Sequence, residues 1–216
     1  GPLDWRLPET HAIYWAQVGL QKAKAHPDRV KKDDIMTLRR STYQSMQLAF
    51  QRGRLIPNYY LKRFEYGPNL ALIPKVNAAY EEQMAESPDN ADHIGTGHRN
   101  FIRDAVYQLY LHNREAEAAK WFKYLGQKYP NKTIIDGDTN SFPRNVSLDE
   151  FVSPKFNEAI TETSQSGMKT ILEGLITQSY MSLILDEDDR ATGFMNLARK
   201  AHARYNSKVK ARNDQI

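Results

Sequence analysis

Residues 99–130, RNFIRDAVYQLYLHNREAEAAKWFKYLGQKYP, decide the fold. Phe101, Ala105 and Leu109, with Ile102 and Val106 beside them and Tyr110 and His112 further along, make one broad apolar stripe at a period of 3.6 residues. Asn113 then suits the left-handed position that commonly ends a helix. A second helix follows, with Glu115 and Glu117 in its first turn and Lys120, Lys123 and Lys128 further on, as the helix dipole favours. Its stripe is Ala118, Ala119, Trp121, Phe122, Leu125 and Tyr129, and Pro130 closes the run. Small Ala118 lets two helices approach while Phe122 fills the gap, so the stretch predicts an antiparallel helical hairpin.

The same residues carry a resemblance. Ala118, Phe122 and Pro130 match the A-x3-F…P half of the tetratricopeptide pattern, and Ile102, Ala105, Val106 and Leu109 stand where that family has W-x2-L-G-x2-Y. Val106 replaces the glycine and Ile102 the tryptophan, so only apolar character is kept there. The likeness covers about one repeat, with a partial echo at Trp15, Val18 and Gly19, where Lys22 stands in place of the tyrosine. The chain is in this sense similar to tetratricopeptide proteins, and the resemblance implies stacked helical pairs whose concave face binds protein or peptide. Any antiparallel helical hairpin needs a similar stripe.

Further helices are expected around this centre. Residues 8–25 bury Ala12, Trp15, Ala16, Gly19, Leu20 and Ala23, with Pro8 in the first turn. Gly19 costs roughly 1 kcal/mol relative to alanine, and a close helix crossing is the physical reason for it. Residues 33–52 follow, with Ile35, Leu38, Thr42, Met46, Ala49 and Phe50 inward and Gly53 as the stop. A helix at 75–87 buries Val76, Ala79, Tyr80 and Met84, and the glycines of 87–97 mark a flexible loop. Residues 130–147 form a long loop ending in the capping box Ser147–Glu150. A weak helix is expected at 154–165. A strong one at 166–185 pairs with 188–207 across the acidic turn Asp186–Asp189. No alternation long enough for a sheet is found. The expected architecture is all-α, about eight helices in antiparallel pairs, as one repeat-like domain over 1–216.

Residues 54–74 differ in kind. Prolines 57, 68 and 74 punctuate a segment crowded with Tyr59, Tyr60, Phe64 and Tyr66. A short helix at 58–65 and then an extended piece are expected. Its aromatics either lid the core or line a ligand groove.

Composition bounds the rest. The chain of 216 residues is 40% hydrophobic with a formal net charge of +4. No stretch approaches the ~20 apolar residues that span a bilayer. Zero cysteines exclude disulfides and thiolate metal sites. Cytoplasm and periplasm fit equally. The start at Gly1-Pro2 fits a processed protein, a protease scar or a piece of a longer protein. Residues 1–65 hold 12 Lys and Arg against 6 acids, a basic end.

Three functions compete. The first is a non-catalytic protein- or peptide-binding scaffold module, with Tyr59, Tyr60, Phe64, Tyr66, Arg39 and Arg40 as groove candidates. The second is a nucleic-acid-associated module, because Arg39, Arg40, Arg52, Arg54, Lys62 and Arg63 mix with those aromatics as single-strand surfaces do. The third is a metal-dependent hydrolase using His93 and His98, with Asp89 and Asp92 nearby, in the 87–98 loop. Their spacing matches no standard zinc signature. Asp136, Asp138 and Asn140 begin like a calcium-binding loop, but Ser141 and Ser147 replace its glycine and glutamate, so an Asx-stabilised turn is expected. No phosphate loop, dinucleotide fingerprint or nucleophile elbow occurs. No cofactor, metal or catalytic residue is assigned.

Overall fold

The computed structural model describes residues 3–152 and 165–213. The chain is all-α, with eight α-helices and one two-stranded sheet among those residues. In order these are α1 (Pro8–Ala25), α2 (Lys32–Arg52), β1 (Arg54–Asn58), β2 (Arg63–Gly67), α3 (Ile73–Glu86), α4 (Ala91–Leu111), α5 (Glu115–Lys128), α6 (Leu148–Val152), α7 (Gln165–Ile184) and α8 (Asp188–Asn213). The helices pack in neighbouring pairs. Two compact units result, Gly1–Ile102 and Arg103–Ile216, and the division falls inside α4. The weak helix expected at 154–165 lies almost entirely outside the described residues.

In the first unit α1 packs along α2, and α2 along α3. At Gly19 an added Cβ would meet the two Leu38 methyls at 3.0 and 3.1 Å, which is the close crossing that Gly19 was expected to serve. Glu9, buried in the first turn of α1, accepts from Arg52 Nε at 2.7 Å and ties the start of α1 to the end of α2. The core is a line of rings. Phe50 meets Phe101 edge-on at 5.4 Å, and Tyr80 stacks on Phe101 at 5.9 Å and on His98 at 5.3 Å. His98 is fully buried, and its Nε2 lies 2.8 Å from Asn77 Oδ1.

Three expectations are corrected here. Trp15 was expected inward, but it is 64% exposed; α1 buries Ile13, Ala16 and Ala23 instead, together with Glu9 and Thr10. Residues 87–97 are not a loop. A single 3-10 turn, Pro88–Asn90, leads straight into α4, which carries Gly95 and Gly97 in its first turns. Gly97 faces Tyr80, whose hydroxyl would lie 3.4 Å from an added Cβ, so tertiary packing outweighs the low helix propensity of glycine. Residues 58–65 are not a helix but the turn and second strand of an antiparallel β-hairpin, and a small sheet exists where none was expected.

The hairpin has a physical basis in its own residues. Asn58 ends β1 and accepts from the Leu61 N–H at 2.9 Å through its side chain, closing the four-residue turn Tyr59–Lys62. Lys62 takes φ 51° to bring the chain back. Tyr and Phe in β2 favour extended backbone, and Pro57 is tolerated because a two-stranded sheet has only edge strands.

In the second unit the central stripe falls as the spacing predicts: Ala105, Val106, Leu109, Tyr110 and His112 are buried. Asn113 adopts φ 58°. The Arg114 N–H donates to Leu109 O at 2.9 Å and the Asn113 N–H to Tyr110 O at 3.1 Å. This Schellman turn recurs between α7 and α8: Asp186 has φ 54°, Glu187 donates to Ser182 O at 2.9 Å and Asp186 to Leu183 O at 3.1 Å. On α5, Ala118 and Leu125 are buried, whereas Phe122 is half-buried with its ring 5.5 Å from Phe151 of α6. The capping box forms at α6, where the Ser147 N–H donates to Glu150 Oε2 at 2.9 Å and the Glu150 N–H to Ser147 Oγ at 3.3 Å. The Asx turn forms as well, with the Asn140 N–H donating to Asp138 Oδ1 at 2.8 Å.

The two turns of this unit meet at α8. An added Cβ at Gly193 would sit 2.0 Å from Leu111 O and 2.5 Å from its carbonyl carbon. Both are backbone atoms that cannot swing away. Gly193→Ala is therefore expected to lower stability by about 1–3 kcal/mol or more, read as a reduced urea midpoint at unchanged slope. A midpoint equal to that of the parent protein would mean that α8 does not approach the first turn this closely.

Candidate interaction surface

The hairpin residues alternate between two environments. Ile56, Asn58 and Gly67 are buried on one face, where Ile56 fills the space that a side chain at Gly67 would take. On the other face Leu55 stands opposite Tyr66 and Pro57 opposite Phe64. That face is solvent-exposed: Phe64 is 61% and Tyr66 63% accessible, and the turn adds Tyr59 at 74% and Tyr60 at 83%. The aromatics do not lid the core, since the inner face is already filled by Ile56 and Asn58. Four large rings exposed within the 14 residues of one hairpin make it the candidate interaction site.

Lys62 follows Tyr59 and Tyr60 in the turn, while Arg54, Arg63 and Glu65 stand on the opposite face with Ile56 and Asn58, where Glu65 accepts from Asn58 Nδ2 at 2.8 Å and from Arg63 at 3.3 Å. Arg39 and Arg40 do not join it. They sit on α2 about 18–20 Å along the helix axis from its end at Arg52, by 1.5 Å per residue. Arg39 pairs with Glu86 of α3 and Arg40 is exposed. Arg39 also lines a cleft of about 110 Å³ with Gln17, Thr42 and Gln83. That volume suits a few waters and falls short of the ~300 Å³ at which small-molecule pockets begin.

His93 and His98 are five residues apart on one helix, which turns their side chains to different sides; His93 is exposed and His98 buried. Among the described residues no group of three or more His, Asp or Glu side chains could hold a metal ion.

Two features escaped the sequence reading. Trp5, His11, Tyr14 and Trp15 form an edge-to-face ladder on the outside of α1, with centroids 5.1 to 5.6 Å apart. In the second unit, Lys200 of α8 donates to Tyr110 Oη at 2.6 Å and to Glu115 at 2.9 Å, and the Tyr110 hydroxyl donates to Asp149 at 2.7 Å. Helical spacing cannot foretell such a cluster, because its members come from α4, α5, α6 and α8. Burial pushes the Tyr110 hydroxyl up to about 12. Its hydrogen bond holds the Asp149 carboxyl below the usual range, and bonds to Tyr110 and Glu115 raise Lys200 against the opposing effect of burial. A tyrosine held protonated this firmly is no base at neutral pH, so the cluster acts as a clasp between helices.

The clasp has a pH signature. Tyr110 holds its proton more tightly folded than unfolded, so the associated stability is complete below about pH 10 and is lost as pH rises toward about 12. Tyr110→Phe is expected to lose less stability across that window than the parent protein, read from urea midpoints on either side of it. Parallel losses would show that the hydroxyl is not held as the geometry requires. No protein-family model matches the chain, and no curated protein or solved structure matches it.

Proposed function

We propose that this chain is a non-catalytic protein- or peptide-binding module built on tetratricopeptide-like helical pairs, with the exposed aromatic face of the β-hairpin as its docking surface. The observation that carries the reading is the exposure of Tyr59, Tyr60, Phe64 and Tyr66 on one hairpin. Tyr and Phe are enriched at interfaces because they bury large rigid area at low entropic cost. The neighbouring helical pairs, and the tight turn from α4 into α5 with Ala118 buried on α5, support the repeat-like frame.

A second reading has its own support. Tyr59 and Tyr60 stand beside Lys62 and Arg63 at the tip, and exposed rings beside cations suit stacking on single-stranded nucleic acid. The two readings part on salt. A binding surface for peptide depends on the rings; a few cations alone hold an oligonucleotide weakly and lose it at physiological salt.

The test uses a displayed random-peptide library selected on the whole chain, then a salt series with a fluorescent single-stranded oligonucleotide. Peptides selected on the parent protein are expected to lose roughly tenfold or more in affinity with Tyr60→Ala and Phe64→Ala, a loss of 1.4 kcal/mol or more. Stability should shift by no more than about 0.5 kcal/mol, because both side chains lie on the surface. Selected peptides that bind the variants equally well overturn the docking surface. Micromolar oligonucleotide binding at physiological salt that falls on Tyr59→Ala replaces the peptide reading with the second one.

A further inference from the structure

The hairpin has a second property, which lies in its edge. Pro57 has no N–H, so the alternation of an antiparallel ladder gives the reciprocal backbone bonds to Arg54–Gly67, Ile56–Glu65 and Asn58–Arg63. Between them, the N–H and C=O groups of Phe64 and Tyr66 turn outward on β2. The outward edge of β1 is blunted at Pro57, which has no donor to offer. β2 has no proline, and among the described residues the sheet has only two strands, so the outer edge of β2 is a template for a further strand.

The sequence of β2 complements itself. Laid antiparallel against a second β2 with Phe64 on the two-fold axis, Arg63 falls opposite Glu65 of the other copy, and Glu65 opposite Arg63. The two Phe64 rings meet on the exposed face, where Leu55, Pro57 and Tyr66 already lie. Residues directly opposite have Cβ atoms about 4.5–5.5 Å apart, near enough for the aromatic pair and both ion pairs to count. A shift that centres the pair on Glu65 instead would set two carboxylates face to face, which is unfavourable.

We propose that the chain forms a two-fold symmetric dimer with a second copy of itself by pairing the outer edges of β2, making one four-stranded antiparallel sheet. The interface is isologous, so it closes at two copies and does not propagate. Both aromatic faces then lie on the same side of one sheet, doubling the docking surface proposed above. The inference goes beyond that reading and stands on the β2 edge and its charge order.

Sedimentation velocity on the whole chain is the test, with circular dichroism to confirm the fold of each variant. The parent protein is expected to pass from monomer to dimer as concentration rises through the micromolar range. R63E places acid opposite acid and E65R base opposite base, so each is expected to weaken the dimer roughly tenfold or more. An equimolar mixture of R63E and E65R restores opposite charges across the axis and is expected to recover the dimer. Pairing within one chain cannot produce that recovery. Because the chain has no cysteine, F64C reports the register: it should cross-link on mild oxidation, whereas Y66C, displaced from the axis, should not. A monomer at every concentration, a dimer indifferent to both reversals, a mixture that stays monomeric, or cross-linking at Y66C in preference to F64C would each overturn the proposal. A monomer that still binds selected peptides would overturn the dimer alone and leave the docking surface standing.

Discussion

The burial of one stripe on α4 is the interaction on which each unit depends. Phe101 and Ile102 are fully buried in the first unit, and Ala105, Val106 and Leu109 are almost wholly so in the second. A large apolar side chain taken fully out of water contributes roughly 1.5–3 kcal/mol. In the first unit Phe101 is the ring against which Phe50 and Tyr80 lie. His98, one turn before it, is tolerated in that core because its ring stacks on Tyr80 and its Nε2 meets Asn77.

In the second unit the stripe is made useful by the way α4 ends. A Schellman turn satisfies the last carbonyls and reverses the chain within three residues, and it needs one residue at positive φ. Asn113 and Asp186 both fill that place without glycine, since short polar side chains tolerate the left-handed region. The two turns come together around α8. His112 Nε2 lies 3.9 Å from Glu187 Oε2, Asn196 bonds Asn113 at 3.1 Å, and Gly193 gives the Leu111 carbonyl room. The Lys200 clasp lies two turns further along α8 and fixes the rotation of that helix against the first pair.

How much of this could be read beforehand follows from the range of each effect. The stripe of α4, the turn at Asn113 and the capping box at Ser147 are local patterns, and they appear where the sequence places them. Gly95 and Gly97 misled because propensity counts a cost of under ~1 kcal/mol each, which burial of the surrounding turns exceeds. Trp15 faces outward because Ile13 and Ala16 already fill the buried side of α1. Gly193 carried no local signal, since its reason is a backbone carbonyl 82 positions away in sequence. Of the six groove candidates, Tyr59, Tyr60, Phe64 and Tyr66 share one hairpin, while Arg39 and Arg40 belong to a different part of α2.

The hairpin is the instructive error. Prolines at 57 and 68 and a crowd of tyrosines looked like an irregular lid, and a buried lid needs its rings inward. The alternation Leu55, Pro57 against Ile56, Asn58 and then Phe64, Tyr66 against Glu65, Gly67 is a period of two, interrupted only by a turn. It was hidden because the polar and apolar types are inverted. Buried Asn58 faces inward, where its side chain closes the turn, and the aromatic rings face outward. A strand that keeps its polar residue inside and its rings in water gains nothing from the second choice in an isolated monomer. Exposing four rings forgoes several kcal/mol that burial would return, while the inner face needs only Ile56 to seat the hairpin. The folding of the chain therefore leaves those rings unexplained, and the proposed association would account for placing them outward.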